Sequence, residues 1–268
     1  MLLTSLLIAV VLYLLLCALL YAAQERLIFH PDVLPPAFAF DFPLPFTELR
    51  LPVAGATLHA LYFRARQPKG AILYLPGNAG SLRWWGMVAQ HFVPRGYDLL
   101  IPDYRGFGKS TSRITREALL HADAWGAYAY LQQHYPEAQI IVYGYSLGTG
   151  LATQLAARQA PRLLILEAPY VSLRALARRR FPFVPMVLLK YPLRTDRWIG
   201  QVGCPVYLVH GTADEVIPCA CSLQLLPLIQ APHALITIAG GRHTNLAGFG
   251  AYQAALDAIL GPPVQGDG

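Results

Sequence analysis

The pattern of apolar and polar positions changes character along the chain. Residues 2–23 carry no charged side chain. As a helix they would span roughly 33 Å at 1.5 Å per residue, enough for a bilayer core of about 30 Å. Residues 24–45 follow, rich in aromatics and in proline (Pro31, Pro35, Pro36, Pro43, Pro45), and this composition predicts an extended connector. Two strands, 46–53 and 57–65, flank Ala54-Gly55 and read as a hairpin. Short and nearly continuous apolar runs then recur at 71–75, 97–101, 139–143, 162–166, 206–209 and 235–238. Strands without polar alternation are buried on both faces, as in a parallel sheet. Helical stretches at 117–134, 147–158 and 252–260 separate them, and Leu147, Leu151 and Leu155 mark one stripe facing the sheet. Alternation of this kind predicts an α/β domain over 46–260. Residues 170–200, with their prolines, aromatics and arginines, break the rhythm and read as a small cap. Residues 261–268 read as a frayed tail.

Composition sharpens the N-terminal reading. A cleaved signal peptide carries a basic start and a shorter apolar run. Residues 1–5 hold no Lys or Arg, so the segment reads as an anchor. Arg26 is the lone Lys or Arg close to either flank, so charge counting leaves the orientation open. The net charge of +6 has a local source. Between 170 and 200, Arg174, Arg178, Arg179, Arg180, Lys190, Arg194 and Arg197 face only Asp196. Such a patch suits anionic headgroups or a solvated helix face; no nucleic-acid module accompanies it. Cys17, Cys204, Cys219 and Cys221 have no zinc-ligand spacing, and no metal or cofactor is called for.

The chemistry centres on Gly144-Tyr145-Ser146-Leu147-Gly148, which closes an apolar strand and opens a helix. A tight strand–turn–helix with small residues on both sides exposes the central serine as a nucleophile; the bland alternative is a serine that merely caps the helix. A hydroxyl needs a base, and the base needs an orienting acid. His243 lies in Gly240-Gly241-Arg242-His243, after the last strand and before the terminal helix, and suits the base. His210 ends a strand and suits local packing. Asp214, just past the 206–209 strand, suits the acid, with Glu167 as its rival. The N–H of Leu147 and that of Asn78, in the Pro76-Gly77-Asn78-Ala79-Gly80 loop, are the candidate oxyanion donors. Asp103 and Arg105 read as structural. Trp84, Trp85, Phe181, Phe183 and Trp198 are the aromatics expected to shape an apolar pocket.

Taken together, PGNAGS (76–81), DYRGFGKS (103–110), GYSLGTG (144–150), EAPY (167–170) and HGTADEVIP (210–218) resemble the Bem46-type branch of the α/β-hydrolases, over roughly residues 24–260. The resemblance implies an α/β-hydrolase fold, with a mostly parallel eight-stranded sheet, helices on both faces and a short N-terminal anchor. It implies Ser146, Asp214 and His243 as a catalytic triad and hydrolysis of esters or thioesters, lipid-like acyl substrates included. The family commonly has His where this chain has Pro76. It also often has Asn directly after the catalytic His, where Thr244 stands here before Asn245. Two rival readings are a peptidase of the prolyl-oligopeptidase type and a non-catalytic binding protein on the same fold.

Overall fold

The computed structural model describes residues 2–263; of the expected tail 261–268, residues 264–268 lie outside them. Eight strands form the main sheet: β1 (Phe46–Val53), β2 (Ala56–Phe63), β3 (Ala71–Leu75), β4 (Asp98–Pro102), β5 (Ile140–Tyr145), β6 (Leu163–Glu167), β7 (Val206–Gly211) and β8 (His233–Ile238). Their spatial order is β8-β7-β6-β5-β3-β4-β2-β1. The hairpin β1–β2 joins antiparallel, and every neighbour pair from β4 to β8 is parallel. This is the mostly parallel eight-stranded arrangement that the resemblance implied.

Alternation along the strands divides the core in two. Leu73, Leu75, Leu100, Val142 and Leu164 face one side, where they meet helices α2 (Glu117–Gln132) and α3 (Leu147–Ala156). Ile72, Tyr74, Leu99, Ile101 and Ile141 face the other, against Phe92 and the terminal helix α5 (Gly250–Leu260). Both faces are covered, which is why the strands are apolar throughout. Residues 170–200, expected to form a cap, contain α4 (Leu173–Arg180) and short helical turns at Met186–Leu188 and Thr195–Trp198.

Helix α1 (Leu2–Ile28) is long and apolar enough to cross a membrane. It runs beyond Ala23, so residues 24–28 are helical where an extended connector was expected. Tertiary contacts explain the extra length. Gln24 Nε2 donates to the Leu188 carbonyl at 2.7 Å, and Lys190 N donates to Gln24 Oε1 at 2.8 Å. Glu25 accepts from Lys190 Nζ at 3.1 Å and from Tyr191 Oη at 2.8 Å. The helix is thus fastened to the cap. Beyond it, His30–Pro31 pairs in parallel with Ala79–Gly80, and Asn78 Nδ2 donates to the Ile28 carbonyl at 2.6 Å.

Candidate active site

The C-terminal ends of the parallel strands lie at one edge of the sheet, the usual location of sites in open α/β folds. Register brings them level: Leu75 pairs with Gly144, Tyr145 with Glu167, and Glu167 with Val209. The loops after β3, β5, β7 and β8 carry Asn78, Ser146, Asp214 and His243 to that edge.

Ser146 follows β5 directly, with φ at 50° and ψ at −116°. A positive φ costs a non-glycine residue free energy, and such strain persists only where surrounding structure enforces it. The enforcement is steric. A Cβ on Gly148 would lie 2.0 Å from the Leu75 carbonyl oxygen, and one on Gly144 would lie 2.7 Å from the Gly148 oxygen. Only glycine permits this close approach of turn, helix and strand. Among the described residues Ser146 makes no side-chain capping bond to α3. Its Oγ instead lies 2.9 Å from His243 Nε2. The capping alternative is therefore not the geometry observed.

His243 Nδ1 lies 2.7 Å from Asp214 Oδ2. Asp214 Oδ1 accepts from the backbone N–H groups of Val216 and Ile217, at 2.9 and 2.8 Å. His210 Nε2, which donates to the Ile217 carbonyl at 2.8 Å, also lies 3.4 Å from Asp214 Oδ2. Burial alone would push the Asp214 carboxyl up. The donors from His210, His243 and Ile217 outweigh it and hold the group well below the usual carboxylate range. Asp214 is ionised at neutral pH, so its Oδ2 can only accept a hydrogen bond from His243 Nδ1, and the Nε2 side of the ring is turned to Ser146 Oγ.

The loops carrying these groups are bonded to each other. Ala213 N donates to the Gly241 carbonyl at 2.9 Å, and Thr212 N to the Ile238 carbonyl at 3.0 Å. Asn245 Oδ1 accepts from Arg242 N at 2.7 Å, closing the turn that presents His243. Tyr145 Oη donates to the His243 carbonyl at 2.7 Å. Tyr145 was not singled out from sequence, and a lone aromatic beside the serine carries no local signal of such a contact.

Glu167, the rival acid, is engaged elsewhere. Its Oε2 accepts from Tyr143 Oη and, at 3.0 Å, from Tyr252 Oη. Full burial pushes its carboxyl up, only partly offset by those two hydroxyls. His210 packs within its loop as expected, with Nδ1 2.7 Å from Ser222 Oγ. Arg105 forms a buried pair with Asp123, its Nε donating at 2.7 Å. Asp103 accepts from Leu82 N at 3.1 Å, which anchors the segment after the Asn78 loop.

A cavity of about 610 Å³ opens beside Ser146 and is lined by Asn78, Leu147, the cap and the C-terminal turns of α1. Of the five aromatics expected to shape it, only Phe181 is in the lining. Trp84 and Phe183 are largely exposed, Trp85 packs on Tyr145 with ring centroids 5.3 Å apart, and Trp198 lies under the Arg158 guanidinium. The apolar surface comes instead from aliphatic residues of the cap and α1. Their role depends on how the cap docks, which residue type does not encode.

The sequence pattern described as the alpha/beta hydrolase fold matches residues 70–197. An uncharacterised protein of Mycobacterium tuberculosis is 30% identical over 235 residues, covering 84% of this chain and 82% of that protein. Human alpha/beta hydrolase domain-containing protein 17B is 30% identical over 199 residues, covering 72% of this chain and 66% of its own length. The lysophosphatidylserine lipase ABHD12 of Danio rerio is 31% identical over 179 residues, covering 58% of this chain and 46% of its own length. An esterase from Pyrococcus furiosus shares the fold with a TM-score of 0.71 at 17% identity, over 87% of this chain and 96% of that one. With strand order, strained serine turn and relatives in agreement, the chain belongs to the α/β-hydrolase family.

Proposed function

We propose that this protein is a membrane-held serine hydrolase that cleaves carboxylic esters or thioesters through an acyl-serine intermediate. In this reading residues 1–23 anchor the catalytic domain of residues 46–260. The observation that carries it is the relay from Ser146 Oγ to His243 Nε2 at 2.9 Å and from His243 Nδ1 to Asp214 Oδ2 at 2.7 Å.

The chemistry follows from those atoms. Ser146 Oγ attacks the acyl carbonyl carbon as His243 Nε2 takes its proton. The carbonyl oxygen gains the negative charge and receives hydrogen bonds from the N–H groups of Asn78 and Leu147. Asp214 keeps its charge and stabilises the imidazolium. Collapse breaks the bond to the alcohol or thiol, which departs with the proton from His243. Water then attacks the acyl-serine, giving one proton to His243. Collapse of the second intermediate returns that proton to Ser146 Oγ and frees the acid.

A lipid-like acyl group suits the apolar cavity beside Ser146, and one relative is named as a lipase of lysophosphatidylserine. The basic helix α4, with Arg174, Arg178, Arg179 and Arg180, lies in the cap that grips α1, where anionic headgroups would meet it. The test is fluorophosphonate labelling of membrane fractions carrying the wild-type chain or Ser146→Ala. Labelling confined to the wild type is expected. An unlabelled, folded wild type would favour the binding-protein reading.

A further inference from the structure

The cavity beside Ser146 is built partly from the helix that the preceding reading makes an anchor. Leu20, Tyr21, Gln24, Leu27 and Ile28 form one wall, and the cap from Leu173 to Leu189 forms the opposite one. An anchor that served only as a tether would need no defined position against the catalytic domain. This helix has one. Gln24 is buried, with its side-chain amide bonded at both ends to cap backbone, and Lys190 Nζ lies 4.3 Å from the Tyr21 ring centroid. Tyr13 Oη reaches the Phe183 carbonyl at 2.9 Å, and Ile28 is bonded to the Asn78 side chain. The N-terminal turns of the same helix, from Leu2 to Leu16, expose large apolar side chains. The helix therefore passes from an exposed apolar surface directly into the wall of the site.

We infer that α1 and the cap form an acyl-chain binding channel, and that the substrate's long acyl chain moves along it from the bilayer to Ser146. This rests on the membrane-held hydrolase reading above and adds the place where the chain binds. The physical reason is continuity of apolar surface. An acyl chain leaving lipid through water exposes every methylene, whereas one sliding between α1 and the cap exchanges one apolar surface for another. The volume of about 610 Å³ falls in the usual range for small-molecule sites, roughly 300–1,000 Å³. Leu27, half exposed on the cavity wall, and Leu176 and Val184 opposite are sized for contact with a chain.

Two measurements on the full-length protein in phosphatidylcholine vesicles test this. The first compares turnover of four-carbon and sixteen-carbon p-nitrophenyl esters by wild type and Leu27→Trp, which adds bulk to the wall. The ratio of long-chain to short-chain kcat/KM is expected to fall at least tenfold. An unchanged ratio overturns the proposal. The second is independent of catalysis and uses Ser146→Ala with a diazirine-bearing palmitic acid in the vesicles. Cross-links on the cap segment 173–189, competed by excess oleate and lost in Leu27→Trp, are expected. Cross-links confined to 2–19, the lipid-facing turns, overturn the channel even if ester hydrolysis stands. Should hydrolysis fail, competed cap cross-links still support the channel.

Discussion

Tyr145 Oη donates to the main-chain carbonyl of His243 at 2.7 Å, and the two rings lie 5.5 Å apart. The residue before the candidate nucleophile thus holds the loop of the candidate base, across 98 positions of sequence. Tyr145 does not line the cavity and its hydroxyl bonds only the main chain of His243, so in the proposed mechanism it positions the base without touching substrate. Tyr145→Phe removes that single bond, worth about 1 kcal/mol, so kcat on a short ester should fall roughly fivefold. KM should stay near its wild-type value, because no substrate contact is lost. A drop in Tm with kcat intact would show the hydroxyl to be merely structural.

Asp214→Asn should lower kcat far more. Asp214 Oδ1 is pinned by two backbone N–H donors, so the asparagine would keep its oxygen there and turn its NH₂ toward His243 Nδ1. Nδ1 must then accept, the proton moves to Nε2, and the imidazole can no longer take one from Ser146. A loss of about 10³–10⁴ in kcat is expected for a base held in the wrong tautomer. Activity within tenfold of wild type on an ester panel would argue for a different acid.

The same carboxylate makes stability depend on acid. Its folded pKa lies below the ordinary value of about 3.9, so its contribution is present above that pH and is lost as pH falls below it. Thermal melts of wild type and Asp214→Asn should therefore separate most above about pH 4 and draw together toward pH 2. A gap that widens on acidification would contradict the assignment.

Glu167 has the opposite sign. Its carboxyl is raised by burial, so the unfolded chain releases its proton first, and stability falls as pH rises above about 4.3. Glu167→Gln retains an oxygen acceptor for Tyr143 and Tyr252 and removes the titration. The Tm difference should move in favour of the variant as pH rises from about 4 to 8. A constant difference across that range would mean that Glu167 is not perturbed in the fold.

Gly148→Ala tests the turn itself. The added methyl would meet the Leu75 carbonyl oxygen at 2.0 Å, and the obstacle is backbone that cannot swing aside. Overpacking of this kind costs about 1–3 kcal/mol, and each kcal/mol lowers Tm by about 2–4 °C in a chain of this size. Differential scanning calorimetry should show a lower Tm together with reduced fluorophosphonate labelling. An unaltered Tm would mean that the turn can relax.

Much of this protein is legible from local pattern. Apolar runs buried on two faces, helices between them and a glycine-flanked serine at a strand end are short-range features, set by backbone sterics and side-chain alternation. These suffice for the α/β sheet and for nominating Ser146, and chain order was enough to nominate Asp214 and His243. Their mutual geometry was not legible. That Asp214 and not Glu167 faces His243 depends on Tyr143 and Tyr252 enclosing Glu167, from strand β5 and helix α5. Nor could periodicity end α1 correctly, because residues 24–28 stay helical through bonds to Leu188, Lys190 and Tyr191, more than 160 positions away. Local sequence specifies which elements form and which residues stand at their ends. Which of those residues meet, and which walls enclose the cavity, follow from packing between distant segments, whose energies appear only once the chain is folded.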